Sequence, residues 1–207
     1  MEGNAAIEDI DRTGVNPRFM AMYAVDDEKA GWKKGQWHTA VPPQARPDTG
    51  LTPVDYFGRK MVDNLPDSIK VGTITVAVGG ASIDLFDKRT CKAYLKKQPD
   101  WMKNFASQYN GNPYARLIEL AKIAQKQGVI KGILLHQGET NNGDVNWPNR
   151  VKTVYNDILK ELHLKAEDVP LLVGETVQKD QGGSCWQHIA IVDDIAKTIP
   201  TAHVISS

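Results

Sequence analysis

Two short strings in the chain combine apolar, strand-like residues with polar groups that can assist acyl transfer. In the first, Gly79 and Gly80 follow an apolar run at 71–78, and paired glycines leave backbone N–H groups open to an approaching oxyanion or phosphate. In the second, residues 136–139, His-Gln-Gly-Glu, follow another apolar run. Gln137 carries two amide hydrogens, as a side chain of an oxyanion hole must. For the glycines taken alone, a tight structural turn is the commoner role.

Other chemistry for these strings has weaker support. His136 and Glu139 could chelate a metal, but two ligands without a third nearby make a poor site, so no metal is predicted. The glycines lack both the G-x-G-x-x-G spacing and the P-loop lysine of nucleotide sites, and no cofactor is predicted. Ser82 is not surrounded by the G-x-S-x-G elbow of a nucleophilic serine. The polar residues at 136–139 must form a hydrogen-bond network or face a ligand.

Both strings lie at the ends of predicted strands. Continuous apolar runs predict buried strands, and apolar residues at helical spacing predict helices between them. Their alternation indicates an α/β protein, a three-layer α/β/α sandwich with a parallel, flavodoxin-like sheet. Ligands of such sheets bind beyond the carboxyl ends of the strands, so Glu175, after the third strand, is a weaker candidate to line the cleft. The strands are predicted at 71–78, 129–135, 169–173 and 202–205, and the helices near 53–65, 114–124, 151–162 and 189–199.

The first fifty residues differ from the rest of the chain. They contain several prolines and glycines and little apolar periodicity, which predicts a long irregular segment. A long ordered loop in a compact domain often lines a site, and a surface excursion is the alternative. Trp32 and Trp37 lie in this segment.

The composition restricts the classes of partner. Lysine plus arginine equals aspartate plus glutamate, at 25 each, and the formal net charge of zero argues against a nucleic-acid partner. No stretch approaches the ~20 apolar residues of a membrane span, so no membrane partner is predicted. Cys91 and Cys185 are too few for a disulfide framework and are predicted to be unpaired. Four further histidines have no motif around them and are predicted on the surface or in the core: His38, His163, His188 and His203.

Several strings together resemble one family. Leu134-Leu-His-Gln-Gly-Glu139, following a Val-Ala-Val-Gly-Gly80 strand end, is similar to blocks of the sialate O-acetylesterase and acetylxylan esterase domain of the SGNH superfamily. Residues 50–58 and 200–207 also resemble segments of those proteins, so the resemblance covers essentially the whole chain. It implies an SGNH hydrolase sheet and a serine esterase that removes acetyl groups from carbohydrates.

The resemblance also implies roles for individual residues. The main-chain N–H of Gly80, or of Gly79, and the side chain of Gln137 match two donors of the family oxyanion hole. Glu139 is expected to orient the Gln137 loop by hydrogen bonding, with a sugar contact as the alternative. His136 and Glu175 are expected to support or line the site. Trp32 and Trp37 are candidates to stack on a sugar ring, although core or loop-anchor positions are at least as well supported. The implied partner is an acetylated carbohydrate.

The chain departs from the family pattern at both ends. The family nucleophile lies in a Gly-Gln-Ser-Asn motif, and its aspartate and histidine lie in an Asp-x-x-His motif; neither string occurs in the 207 residues. Met1-Glu-Gly-Asn resembles the continuation of the first motif. We therefore expect residues 1–207 to form a single, incomplete domain that lacks the first strand and the C-terminal helix and is inactive alone. The alternative is a non-catalytic carbohydrate-binding or interaction module on the same fold.

Overall fold

The computed structural model of the protein describes residues 2–207, so Met1, the first residue of the string compared with the nucleophile motif, lies outside it. Strands and helices alternate over most of the chain, and parallel strand pairs are covered by helices, which confirms the predicted α/β class. Within residues 2–207 the strands are β1 (Phe19–Met22), β2 (Trp37–Thr39), β3 (Val71–Ile74), β4 (Ile133–His136), β5 (Leu171–Gly174) and β6 (Ala202–Ile205). They form two three-stranded sheets, in the orders β2-β1-β3 and β4-β5-β6.

The helices include the four that the apolar spacing predicts. The last predicted helix, at 189–199, is divided into two short helices at Asp194. Some helix starts carry side-chain caps, as at Asn112, whose side chain accepts from the Ala115 N–H (3.0 Å). No helix in the described range is long and apolar enough to span a membrane. The helices are α1 (Asp9–Arg12), α2 (Pro53–Asp63), α3 (Cys91–Lys96), α4 (Asp100–Ser107), α5 (Pro113–Ala124), α6 (Trp147–Glu161), α7 (Ile189–Asp193) and α8 (Ile195–Thr198).

The first sheet lies partly in the segment that the sequence predicts as irregular. β1 pairs in parallel with β3, with Phe19 opposite Val71 and Met22 opposite Ile74, and it pairs antiparallel with β2. The prediction of an N-terminal segment without strands is therefore wrong. Strands of four and three residues are too short to show a periodicity among surrounding prolines and glycines. The predicted strand at 71–78 is also shorter in the structure, since β3 ends at Ile74.

The second sheet is parallel throughout and contains the other three predicted strands. β4 pairs with β5, and β5 with β6, so that their last residues, His136, Gly174 and Ile205, lie opposite one another at one edge. The loops that follow β4 and β5 therefore leave the sheet side by side. This is the edge at which parallel sheets bind their ligands.

Helix α6 covers the second sheet and begins at the same edge. Val151, Val154, Tyr155 and Ile158 recur at helical spacing and are all buried in the core. Burial of each such side chain contributes about 1.5–3 kcal/mol. Trp147, the first residue of α6, is fully buried. The core thus fixes the start of α6 beside the loop that follows β4.

Helices α4 and α5 cover the first sheet. Met102 from α4 and Leu120 from α5 share a buried cluster with Met22 of β1 and Val78, which follows β3. Trp101, next to Met102 in the first turn of α4, remains 48% exposed. The packing of α4 therefore leaves a large aromatic side chain at the surface near the end of the 71–78 segment.

Candidate functional site

Two hydrogen bonds join the Gly79–Gly80 turn, which follows the 71–78 segment, to the 136–141 loop, which begins at the end of β4. Thr140 Oγ1 donates to the carbonyl oxygen of the second glycine (2.7 Å). Gln137 Nε2 donates to the next carbonyl oxygen along the chain, that of Ala81 (3.2 Å). The structure thus brings Gly80 and Gln137 to one edge of the molecule, although their strands lie in different sheets.

The two glycines of the turn differ in what their N–H groups can do. The Gly79 N–H donates to Glu2 Oε2 (2.9 Å). The Gly80 N–H has no partner among residues 2–207, and Gly80 is exposed, with a left-handed φ of +71° that suits glycine. Of the two glycines that the sequence leaves as alternatives, Gly80 therefore has the available donor.

A buried ion pair supports the turn. Glu2 Oε1 accepts from Arg46 Nη2 (2.8 Å), and the two side chains are 9% and 2% exposed. The Arg46 guanidinium also lies over the Phe105 ring, 4.2 Å from its centroid. A buried charge without such a partner would cost several kcal/mol to remove from water. No motif or spacing in the sequence relates residue 2 to residue 46, so this pair could not be predicted from the sequence.

Gln137 is held in one orientation by its neighbours. The indole N–H of Trp147 can only donate and is hydrogen-bonded to Gln137 Oε1, so the amide nitrogen must face the turn. The two amide hydrogens are directed to the Ala81 carbonyl oxygen, at 3.2 Å, and to Asn141 Oδ1, at 2.8 Å. The carboxamide is therefore fully hydrogen-bonded here. Of the two bonds that the amide donates, the one to Ala81 is the longer.

Asn141 is a residue of the site to which sequence analysis gave no role. Its buried side-chain oxygen accepts from Gln137 Nε2 and also from the Ile83 N–H (3.0 Å). One carboxamide thus fixes Gln137 and ties the 136–141 loop to the segment after the turn. The only indication in the sequence is its place directly after the His-Gln-Gly-Glu string.

His136 and Glu139 pair with each other rather than with Gln137. His136 Nε2 lies 2.9 Å from Glu139 Oε1, and both side chains remain partly exposed. This hydrogen bond lowers the pKa of Glu139, and burial opposes the effect. The Glu139 carbonyl oxygen accepts from Cys185 Sγ (3.5 Å), which connects the loop after β4 to the loop after β5. Gln137 itself takes its orientation from Trp147 and Asn141.

Gly138 packs directly against a buried histidine that the sequence places only as a surface or core residue. His188 is fully buried, and its ring meets Trp147 edge-on with centroids 4.9 Å apart. A Cβ atom on Gly138, whose φ is +151°, would lie 2.4 Å from His188 Cδ2. Both ring nitrogens of His188 lack a hydrogen-bond partner within the described part of the chain, and burial lowers the pKa of this side chain. The ring therefore acts as a neutral packing surface under the loop.

Glu175 lies at the end of β5 and is buried. Its Oε2 accepts from Gln178 Nε2 (2.7 Å) and from Ser206 Oγ (3.3 Å). Burial and, to a smaller extent, the Glu175 charge raise the pKa of Asp193. These partners belong to the loop after β5, to the segment after β6 and to α7. Glu175 thus joins the loops that follow β5 and β6 and has no hydrogen bond to the Gly79–Gly80 turn.

No group of three His, Cys, Asp or Glu side chains in residues 2–207 is arranged as a metal site.

The tryptophans divide between core and site. Trp32 lies against Tyr23, with ring centroids 4.1 Å apart, and Trp37 donates to Gln127 Oε1 (2.6 Å) and covers Gly72. Both side chains therefore have packing roles in the first sheet. Trp101, which sequence analysis missed, lies beside the turn: its Cη2 atom is 3.3 Å from the position that a Cβ atom on Gly80 would take.

The arrangement is that of an α/β protein with a cluster of polar groups at the carboxyl ends of its strands. A family model described as carbohydrate esterase, sialic acid-specific acetylesterase, matches residues 1–207, and the chain belongs to this carbohydrate esterase family. An X-ray structure of a protein from Arabidopsis thaliana is similar in fold, with a TM-score of 0.63. The two sequences are 17% identical, and the match covers 92% of this chain and 68% of the plant protein.

Proposed function

We propose that the protein is a carbohydrate O-acetyl esterase in which Gly80 and Gln137 bind the oxyanion formed from the acetyl carbonyl. Xylan-type and sialate-type acetyl esters are the substrates that we consider. The observation that carries the proposal is the N–H of Gly80, which has no partner among residues 2–207, in a turn bonded to the 136–141 loop, which holds the Gln137 amide. Two donors that converge from different loops are what a developing negative charge requires.

The Gln137 amide would change partners during the reaction. In the resting site its hydrogens bond Ala81 and Asn141. We suggest that the oxyanion takes the place of the Ala81 carbonyl oxygen, since that bond is the longer one and lies beside Gly80. Trp147 and Asn141 would keep the amide in place, so that little reorganisation accompanies the change. A fixed donor of this kind stabilises the transition state more than the ground state.

Ester hydrolysis also needs a nucleophile and a base. In the family resemblance these lie in the Gly-Gln-Ser-Asn and Asp-x-x-His motifs, neither of which occurs in the 207 residues. The serine would attack the acetyl carbonyl while the histidine takes its proton and passes it to the departing sugar oxygen, and water would then hydrolyse the acetyl-serine ester and release acetate. For the residues of this chain, the proposal covers substrate binding and oxyanion stabilisation.

The proposal is tested by acetate release from acetylated sugars. The protein expressed from the complete open reading frame that encodes these residues should release acetate from acetylated xylo-oligosaccharides or from O-acetylated sialosides. Replacement of Gln137 by alanine should lower turnover by about 10²–10³-fold, the usual effect of losing one oxyanion donor. Gln127→Ala is the matched control, since Gln127 bonds Trp37 in the first sheet. Wild-type turnover in Gln137→Ala would contradict the proposal.

A carbohydrate-binding module on the same fold is the second candidate. The observation in its favour is that neither family motif for the catalytic triad occurs in the chain. Such a module would bind the same oligosaccharides without releasing acetate. Calorimetric binding and acetate assays on the same preparation separate the two functions.

A further inference from the structure

Trp101 stands out among the exposed side chains near the site. It is 48% exposed, and its six-membered ring borders Gly80 closely enough that a side chain at Gly80 would press against it. An exposed indole face leaves apolar area in contact with water, and such surfaces beside polar groups often mark binding sites. The Trp101 indole lies next to Gly80, the glycine of the turn whose N–H has no partner among residues 2–207. This position connects Trp101 to the candidate site.

The indole is held by a rigid support. Its ring meets Phe105, one turn later in α4, with centroids 5.8 Å apart and planes at 66°. Phe105 in turn lies under the guanidinium of Arg46, which pairs with Glu2, the acceptor of the Gly79 N–H. The same chain of contacts therefore positions both the turn and the aromatic ring. A preorganised surface binds a ligand with less loss of side-chain freedom.

The turn has a polar side as well as an aromatic one. Thr140, which donates to the Gly80 carbonyl oxygen, is exposed, and so is Glu139 beside it. A pyranose ring has the same two-sided character, with C–H groups on its faces and hydroxyl groups at its rim. Aromatic side chains suit such a ligand because they offer a large apolar face at low entropic cost.

We propose that Trp101 is the sugar-binding wall of the site and stacks on the pyranose ring whose acetyl group is presented to Gly80. The inference rests on the proposed function for its choice of ligand. It places the sugar at α4 and not at Trp32 or Trp37, whose side chains are occupied in the first sheet.

Trp186 provides a matched comparison. It is 37% exposed, but the Lys179 ammonium lies over its ring, 4.9 Å from the centroid. It borders a separate groove of about 250 Å³ that is also lined by Gln178, Gln187 and Asp193. Both residues are thus partly exposed tryptophans, but of the two only Trp101 touches the Gly79–Gly80 turn.

Equilibrium binding tests the inference without requiring turnover. The protein from the complete open reading frame is titrated calorimetrically with an acetylated xylo-oligosaccharide and an O-acetylated sialoside, and with their deacetylated counterparts, which it cannot hydrolyse and which give the binding constants where the acetylated sugars turn over. Trp101→Ala should weaken binding of the preferred sugar by about tenfold, as expected for loss of an aromatic contact of about 1.4 kcal/mol. Trp101→Phe should retain most of the affinity, and Trp186→Ala should bind like the wild type.

The outcomes separate the two proposals. Sugar binding that depends on Trp101, without acetate release, would refute the esterase and leave the sugar-binding wall standing. Wild-type affinity in Trp101→Ala, or equal losses in Trp101→Ala and Trp186→Ala, would refute the sugar-binding wall. A wild-type protein that binds none of the four sugars would refute it too. Thermal unfolding of each variant shows whether its fold is intact.

Discussion

The Gly79–Gly80 turn and the 136–141 loop meet at the same edge, but different interactions hold them. The turn is fixed by charge: its first N–H donates to the Glu2 carboxylate, which is neutralised by Arg46 in an almost fully buried pair. The loop is fixed by neutral groups. The Trp147 indole and the Asn141 carboxamide set the orientation of Gln137, and Gly138 rests on the His188 ring.

This difference has consequences for how each half of the site can fail. A buried ion pair is sensitive to loss of one partner, because the remaining charge stays in a poorly solvated position. A neutral, closely packed loop is sensitive instead to added volume or to an added proton. The two donors proposed for the oxyanion should therefore respond to different substitutions, although they lie side by side.

The largest effect is expected from Arg46→Met, which removes the charge that compensates Glu2. Breaking a buried pair from one side costs about 3–5 kcal/mol, and urea unfolding should show a loss of this size. Arg89→Met is the control, because Arg89 pairs with Asp87 and Asp157 while 51% exposed, and exposed pairs contribute little to stability.

A double substitution sharpens this test. Glu2→Leu combined with Arg46→Met removes both charges, and it should recover part of the stability that Arg46→Met loses. If Arg46→Met and Arg89→Met unfold at the same urea concentration, the turn is not held by the ion pair.

In the 136–141 loop, Gly138→Ala should destabilise the protein by overpacking. The new methyl group would lie 2.4 Å from His188 Cδ2, and the His188 ring is fully buried. Overpacking and a φ unfavourable for alanine together should cost about 2–4 kcal/mol in urea unfolding. His188→Ala in the same chain opens space and should restore part of this loss.

Gly143→Ala separates the cost of overpacking from the cost of an unfavourable φ. Gly143 has a φ of +79°, but nothing lies within 4 Å of a Cβ atom placed there. It should lose only the conformational part, about 1–2 kcal/mol. Equal losses at Gly138 and Gly143 would mean that His188 does not limit the loop.

The same comparison shows what the sequence could and could not predict. The α/β class and three strands of the second sheet follow from local patterns, since apolar runs and helical spacing are visible within short windows. The Gly79–Gly80 pair and Gln137 could be singled out because their N–H groups and their places after strands are also local, and the family resemblance added the oxyanion role with Gly80 or Gly79 as the donor. The first sheet could not be predicted from the sequence, because β1 and β2 are too short to show an apolar pattern.

The supports of the site depend on contacts between distant parts of the chain. Nothing near Trp101 in the sequence distinguishes it from Trp32 or Trp37, and only the packing of α4 brings it to Gly80. His188 likewise has no motif around it, and its role arises where the loop after β5 passes under Gly138. Such pairings are decided by tertiary packing rather than by residue type.

The smallest expected effect is a pH dependence of the folding stability, which arises from His188 under the 136–141 loop and not from the turn. Burial lowers the pKa of His188 below its ordinary value of 6.5, against opposing effects of Glu139 and Asp144. The stability contributed by the neutral ring is fully present above pH 6.5 and is lost as the pH falls below it, because the unfolded chain then binds a proton that the folded chain does not. The slope from this group cannot exceed about 1.4 kcal/mol per pH unit.

His188→Leu should remove this slope, while the same substitution at His203, which is exposed on β6, should leave it unchanged. Urea unfolding between pH 7.5 and 5.5 measures the difference, in a range that stays above the titration of Glu139, whose pKa lies below 4.5. Leucine also replaces two ring nitrogens that have no hydrogen-bond partner in residues 2–207 with apolar surface, so stability at pH 7.5 should be retained or increased. A slope that survives in His188→Leu would assign the proton uptake to another group and would leave His188 with a packing role only.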